Sequence, residues 1–486
     1  MTRSLSAETL ATVSHGRHEV VLPPTGWSQQ SIGIVHFGIG AFHRAHQALY
    51  TQEAFASTGD DRWGISGVTQ RTAEVQRQLA LQDGLYGVLD GSLDHPRLTV
   101  VGGVREVLYP VEQFTELTQR ISSPEVTIIT LTITEKGYRR SSTGGLDVED
   151  PAVAEDLRGG SPATAVGRLV RGLAARADAG GGPITVLSCD NLTTNGRVLE
   201  RLVLEFCAAS GQDDLARWIA GNVTFPSSMV DRIVPATTER DRERASAILG
   251  LSDRGLVVAE TFRQWVIEDR FAADRPRWEV GGAQVVDDVE PFEQMKLRIL
   301  NGTHSALAYR GALRGYATIA EAVADPELRA FAEEMIATDI IPVTPPPPGQ
   351  DREVYAATVI ERFADPSLAH TTRQVAMDGS QKIPLRLLGT LRSNLDAGRM
   401  PWGVVLAVGA WMSYVACAQS DAHRLRIEDP LAVQLADRVR GVTNPAEIVD
   451  SLLDMPSVFG ADLPARRELR DALIDAVRQE FARCVR

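Results

Sequence analysis

Lysine is nearly absent from this chain. Of its fifty Lys and Arg residues, only Lys136, Lys296 and Lys382 are lysine. A surface that takes arginine wherever it needs positive charge has no general use for lysine, so these three are candidates for work a guanidinium cannot do. Arginine keeps its proton in proteins, whereas lysine can release one when burial or a cationic neighbour disfavours its charge. A mutational bias toward arginine is the competing explanation. Cysteine is scarce too: Cys189, Cys207, Cys417 and Cys484 lie far apart, without CxxC or Cys/His ligand spacing. That argues against a disulfide framework or a structural zinc, and fits a reducing cytoplasm. Surplus positive charge is missing as well. A net charge of −13 argues against nucleic acid as a partner, since phosphates need a basic surface, but it permits a local cluster that binds a small anion. No apolar run is long enough to span a bilayer. The most apolar stretch, Trp402 to Cys417, is short, contains Ser413 and reads as a buried helix. The opening residues lack the apolar core of a signal peptide, so no membrane partner and a cytoplasmic location are expected.

What is present suggests two domains. A chain of 486 residues exceeds what one hydrophobic core usually fills. In the first half, the apolar runs Ile32–Phe37, Trp63–Thr69, Leu98–Val101, Val126–Thr134 and Ile184–Ser188 alternate with helical stretches. Such alternation predicts a parallel sheet wrapped by helices. From about Pro291, β-branched runs thin out. Segments 291–314, 327–338, 351–364, 381–397, 401–417, 429–439 and 464–484 read as helices. The expected architecture is an α/β domain over residues 1–287 and a mostly α-helical domain over residues 288–486.

The first strand runs directly into Gly38-x-Gly40 and an amphipathic helix. Strand, glycine turn and helix in that order let backbone amides approach a pyrophosphate at a helix N-terminus. His43 stands where a third glycine is usual; with Phe42 and Arg44 it joins Gly38 and Gly40 as a cofactor-site candidate. After the second strand no Asp or Glu is found for the ribose of NAD. Arg71 lies there instead and could meet a 2′-phosphate, a surface or an adenine ring. NAD is the favoured cofactor, with NADP open.

Lys296-x4-Asn301-x2-His304 has the makings of a proton-transfer site. On one α-helix with Lys296 at 0°, Asn301 falls at about 140° and His304 at about 80°, with a rise of roughly 12 Å over the array. Such an array suits oxidation of a secondary alcohol by hydride transfer to nicotinamide. A neutral lysine takes the hydroxyl proton, and carboxamides such as those of Asn191 and Asn301 steady the developing alkoxide. No metal is required.

Seven ordered motifs carry a resemblance: Gly38-Ile-Gly-Ala-Phe-His-Arg-Ala-His46, Thr134-Glu-Lys-Gly-Tyr138, Ser188-Cys-Asp-Asn191, Met229-Val-Asp-Arg-Ile-Val-Pro235, Phe262-Arg-Gln-Trp-Val-Ile-Glu-Asp269, the lysine–asparagine–histidine array, and Asp378-Gly-Ser-Gln-Lys382. The chain resembles the polyol-specific long-chain dehydrogenases, which include mannitol 2-dehydrogenases and fructuronate reductases. The resemblance implies a Rossmann-type N-terminal domain, a helical C-terminal domain and substrate between them. It implies Lys296 as general acid and base, with Asn191 and Asn301 polarising the oxygen. His304 and Asp231 would position hydroxyls, with Arg373 and Lys382 at the far end of the substrate. The substrate class is a sugar alcohol or aldonate and its ketose. The motif wording is closer to the fructuronate reductases, acting on D-mannonate and D-fructuronate, with D-mannitol and D-fructose the close competitor. The resemblance permits a monomer. A cofactor-binding regulator without turnover is the reading from another class, and retention of Lys296 and Asn301 speaks against it.

Overall fold

The computed structural model describes residues 3–13, 19–91, 95–141, 143–368, 370–419 and 425–484. The chain divides into two compact units, Met1–Glu290 and Pro291–Arg486.

The first unit is built on a six-stranded sheet whose strands we label in chain order: β1 (Ile32–Phe37), β2 (Gly64–Val68), β3 (Val104–Leu108), β4 (Ile128–Leu131), β5 (Ile184–Ser188) and β6 (Val223–Thr224). The spatial order is β3-β2-β1-β4-β5-β6, and every pairing is parallel. This is the doubly wound Rossmann arrangement, in which ligands gather outside the carboxyl ends of the strands where the order reverses. Both faces of the sheet are covered. Val35, Phe37, Ile129, Leu131 and Val186 pack into one layer, and Ile34, Ile65, Ile128 and Leu187 into the other. Burial on both sides explains why these strands read as continuous apolar runs rather than alternating ones.

One expected strand belongs elsewhere. Pro96–Val101 pairs antiparallel with Tyr86–Gly91 in a separate four-stranded sheet, and the main-sheet strand follows it as β3. The break is Gly102-Gly103. A Cβ on Gly102 would lie 2.7 Å from the Trp27 ring, so glycine lets the chain pass under the indole and change sheets. A further sheet of three strands holds Ser228–Asp231, Gln264–Glu268 and Gln284–Val286.

The second unit is helical. Glu290–Met295, the π-wound turn Lys296–Gly302 and Thr303–Leu313 run on as one rod. Trp402–Cys417 is buried along most of its length. It lies close against Arg467–Cys484, where a Cβ on Gly409 would be 2.6 Å from that of Ala476. Arg310 and Glu480, almost wholly buried, join the rod to this last helix through a 2.9 Å ion pair. Ile319–Ala324 and Pro445–Leu453 are among the helices not expected from the sequence. Cys189 and Cys207 are free thiols, whereas Cys417 is disulfide-bonded. The cysteines therefore carry no argument for a reducing compartment. Among the described residues no helix is long and apolar enough to cross a membrane.

Candidate active site

In the first unit, the carboxyl end of β1 turns at Gly38. Its φ of +92° suits glycine, and a Cβ there would lie 2.1 Å from the Thr132 carbonyl oxygen after β4. Gly40 is different. A Cβ there would meet nothing nearer than 3.8 Å, so open space lies over the turn where a pyrophosphate must come close. The chain fits a dinucleotide at this point.

The neighbours of that turn face inward. His36 lies between the hydroxyls of Thr130 (2.7 Å) and Thr132 (2.9 Å), and the His43 ring stacks on it at 3.4 Å. Burial holds His36 down to about 3 and His43 well below its ordinary value, so both rings stay neutral. Arg44 donates to the Gly255 carbonyl at 2.5 Å and lies over the Tyr86 ring. The side chains of His43 and Arg44 thus serve the packing beneath the glycine turn. Phe42 is half-buried and stacks on His46. Arg71, past the end of β2, is exposed.

Asn191 sits exposed beyond the end of β5. Its setting is fixed by residues that the sequence did not single out. The Asp190 carboxylate accepts from the amides of Ile133 (3.0 Å) and Thr134 (2.7 Å) and from the Tyr138 hydroxyl (2.8 Å). It thereby anchors the Thr134–Tyr138 segment, where Thr134 has a φ of +66°. Lys136 in this segment is exposed. The Asn195 carboxamide donates to the carbonyls of Asp190 (2.9 Å) and Ser228 (2.7 Å), tying the end of β5 to the strand that ends at buried Asp231. Arg232 forms an ion pair with Asp90 at 2.9 Å.

In the second unit Lys296, Asn301 and His304 are 8%, 7% and 9% exposed, so all three are shielded from bulk water. The rod is not α-helical through this array. Lys296–Gly302 is π-wound, with hydrogen bonds from residue i+5 back to i. That winding brings Asn301 back toward the azimuth of Lys296, where an α-helix would leave them about 140° apart. A second π turn, Pro384–Leu388, packs against the first. Pro384 has no N–H to give to an α-helical partner. Gly302 allows the close approach: a Cβ there would stand 2.9 Å from the Arg386 carbonyl oxygen.

His304 stacks on Phe363 (4.7 Å) and His370 (5.5 Å). Burial first, and then repulsion from the His370 ring whenever that is protonated and from the cations Arg386, Lys382 and Arg362, hold its pKa well below the ordinary value. Lys382 donates to the Val375 carbonyl at 3.3 Å. It lies on a helix that Asp378 opens at φ +55° and that Asp429 anchors by accepting from the Ser380 amide and hydroxyl. Arg373 is held by Glu428 at 2.6 Å and is more than half exposed. Lys382 is therefore gathered at His304, while Arg373 is engaged with Glu428. Arg362, His370 and Arg386 were missed because their distance along the chain from His304 hides their proximity. Among the described residues no group of three or more His, Cys, Asp or Glu is placed to hold a metal.

Comparison with known proteins covers nearly the whole chain. Residues 32–280 match the family model described as the mannitol dehydrogenase Rossmann domain, and residues 288–481 match the mannitol dehydrogenase C-terminal domain. The chain is 39% identical over 476 residues to the D-mannonate oxidoreductase of Escherichia coli (strain K12), covering 97% of each. It is 39% identical over 433 residues to the mannitol 2-dehydrogenase of Cereibacter sphaeroides, covering 88% of this chain and 89% of that one. Among solved structures, the Pseudomonas fluorescens mannitol 2-dehydrogenase in ternary complex with NAD and D-mannitol superposes with a TM-score of 0.86 at 34% identity, covering 99% of both chains.

Proposed function

The chain belongs to the mannitol dehydrogenase family, and from that premise we propose that it is an NAD-dependent fructuronate reductase interconverting D-mannonate and D-fructuronate. It is an oxidoreductase of a family whose relatives are named for polyol and sugar-acid substrates. The observation that supports the reaction is the π winding of Lys296–Gly302, which turns position 301 back toward the azimuth of buried Lys296. Nicotinamide, when bound, supplies the acceptor for the carbinol hydrogen as hydride. Lys296 takes the hydroxyl proton in oxidation and returns it to the ketone oxygen in reduction. Asn301 and Asn191 donate N–H bonds to that oxygen as it gains charge. His304, kept neutral by burial and by the cations around it, presents one nitrogen that donates and one that accepts, which suits a substrate hydroxyl. Asp231, Lys382 and Arg373 are the remaining substrate contacts in this reading. Gly38 and Gly40 hold the pyrophosphate, with Phe42, His43 and Arg44 shaping the turn.

The likeness to D-mannonate oxidoreductase over 97% of both chains supports the sugar acid. The second reading, D-mannitol and D-fructose, is supported by the mannitol 2-dehydrogenase relatives. NAD is favoured over NADP, whose case rests on exposed Arg71 where an acidic residue is usual. The test is steady-state reduction with NADH and with NADPH. A larger kcat/KM for fructuronate than for fructose is expected, and the reverse order would overturn the substrate assignment.

A further inference from the structure

We propose that the side chains gathered at His304 form a carboxylate subsite, and that Arg386 sets the preference for a sugar acid over a neutral polyol. The inference rests on the reading of the chain as an acid/ketose oxidoreductase and names residues which that reading leaves out. Fructuronate and fructose carry the same ketone at C2 and differ at C6, where one has a carboxylate and the other a hydroxymethyl group. Discrimination between them must therefore come from whatever meets the end of the chain far from the reacting carbon. Lys296 works at the ketone, and His304 lies about two turns further along the same rod. The far carbon then falls at the His304 end.

That end is electropositive. Arg386, Lys382 and Arg362 act on the His304 ring as positive charges, while the His370 ring, itself held from protonating by burial, stacks on it. The cations come from two places in the chain: Arg362 from the helix Arg352–Ala364, and Lys382 and Arg386 one turn apart on a single helical run. Arg386 Nη1 donates to Ser305 Oγ at 3.1 Å, which holds the guanidinium beside the residue that follows His304. The Nε2 atom of His304 is buried with no hydrogen-bond partner among the described residues. A buried ring nitrogen left in that state costs stability unless a ligand completes it. Cations around an uncompleted polar atom are suited to an anion with several acceptor oxygens. A planar guanidinium matches a carboxylate better than it matches a hydroxyl.

The experiment compares the native chain with Arg386→Gln and Arg386→Lys. Reduction of fructuronate and of fructose is measured with NADH, and D-mannonate is titrated calorimetrically into each enzyme in the presence of NADH. In Arg386→Gln the ratio of kcat/KM for fructuronate to that for fructose falls at least about tenfold, the loss expected for a hydrogen bond to a charged group. The fall lies mainly in KM, and Arg386→Lys restores part of it. An equal loss on both substrates would make Arg386 a packing residue and overturn the proposal. Should the native enzyme reduce fructose and leave fructuronate untouched, the proposed function fails on its own. The titration then judges the subsite: mannonate binding that Arg386→Gln abolishes supports it, and absence of mannonate binding overturns it.

Discussion

Lys296 is 8% exposed in a chain whose other cations are almost all arginine. Burying a long amine is costly unless its charge is paired or its proton is given up, and in the proposed reaction this amine carries the proton. Lys296→Ala is expected to lower kcat at neutral pH by about two to four orders of magnitude, while NADH titration followed by fluorescence shows cofactor binding retained. Near-normal turnover in that variant would remove Lys296 from the mechanism. Asp190 makes a different case. Its carboxylate is the acceptor for three buried or half-buried donors, and burial pushes its pKa up. Asp190→Ala leaves those donors unmatched and should cost at least about 2 kcal/mol of stability, read as a lower Tm. It should also raise KM for the ketose, because the segment beside Asn191 loosens. At this scale Lys296, Asn301 and His304 were legible because they lie close together in the chain. Asp190 and Asn195 were not, because each acts through at least one partner more than thirty residues away.

Among the elements, the long helices were legible from period and punctuation, and the π turns were not. An i→i+5 register leaves no pattern in side-chain hydrophobicity. It arises where two turns press together at Gly302 and the Arg386 carbonyl, a contact between segments some eighty positions apart. The glycine gives a test whose sign is informative. Gly302 has ordinary helical dihedrals, so replacing it by alanine would normally stabilise a helix by about 1 kcal/mol. Here the added methyl meets a backbone carbonyl at 2.9 Å, and Gly302→Ala is expected to lower both Tm and kcat. A rise in Tm with kcat intact would mean the two turns can part freely. The Arg310–Glu480 pair presents a second element-level case, joining the rod to the last helix with both side chains at 2% exposure or less. Removing one partner of a buried pair costs about 3–5 kcal/mol. Glu480→Leu should therefore fall well below the native Tm in thermal unfolding, and an unchanged Tm would show that the pair carries no net stability.

For the whole molecule, the parallel sheet and helical second unit were legible because burial on both faces leaves strands as apolar runs, and buried helix faces leave a longer period. The two smaller sheets were not, since strands as short as Val257–Val258 leave no periodic signal, and the switch at Gly102-Gly103 depends on where Trp27 packs. A consequence for the molecule as a whole follows from its buried histidines. Burial, the largest cause in each case, lowers the pKa of His36, His43, His46 and His304, to about 3 for His36 and His46. In the unfolded chain each takes a proton near pH 6.5, whereas the folded protein keeps them neutral. Below that pH the unfolded state binds more protons, so stability drains away as pH falls from about 6.5 toward 3. Asp190 and Asp253 oppose this, because burial raises their pKa and the folded state holds their protons more readily than the unfolded one. The bare pH profile therefore mixes two signs, and a paired comparison separates them. His46 donates through Nε2 to the Gln264 carbonyl, 3.0 Å away, since a carbonyl can only accept, and a glutamine amide can replace that donor without titrating. Calorimetric Tm measured from pH 7.5 down to 5 should fall less steeply in His46→Gln than in the native chain. Identical slopes would mean that His46 takes up its proton without unfolding, and that the pocket beneath the glycine turn admits charge after all.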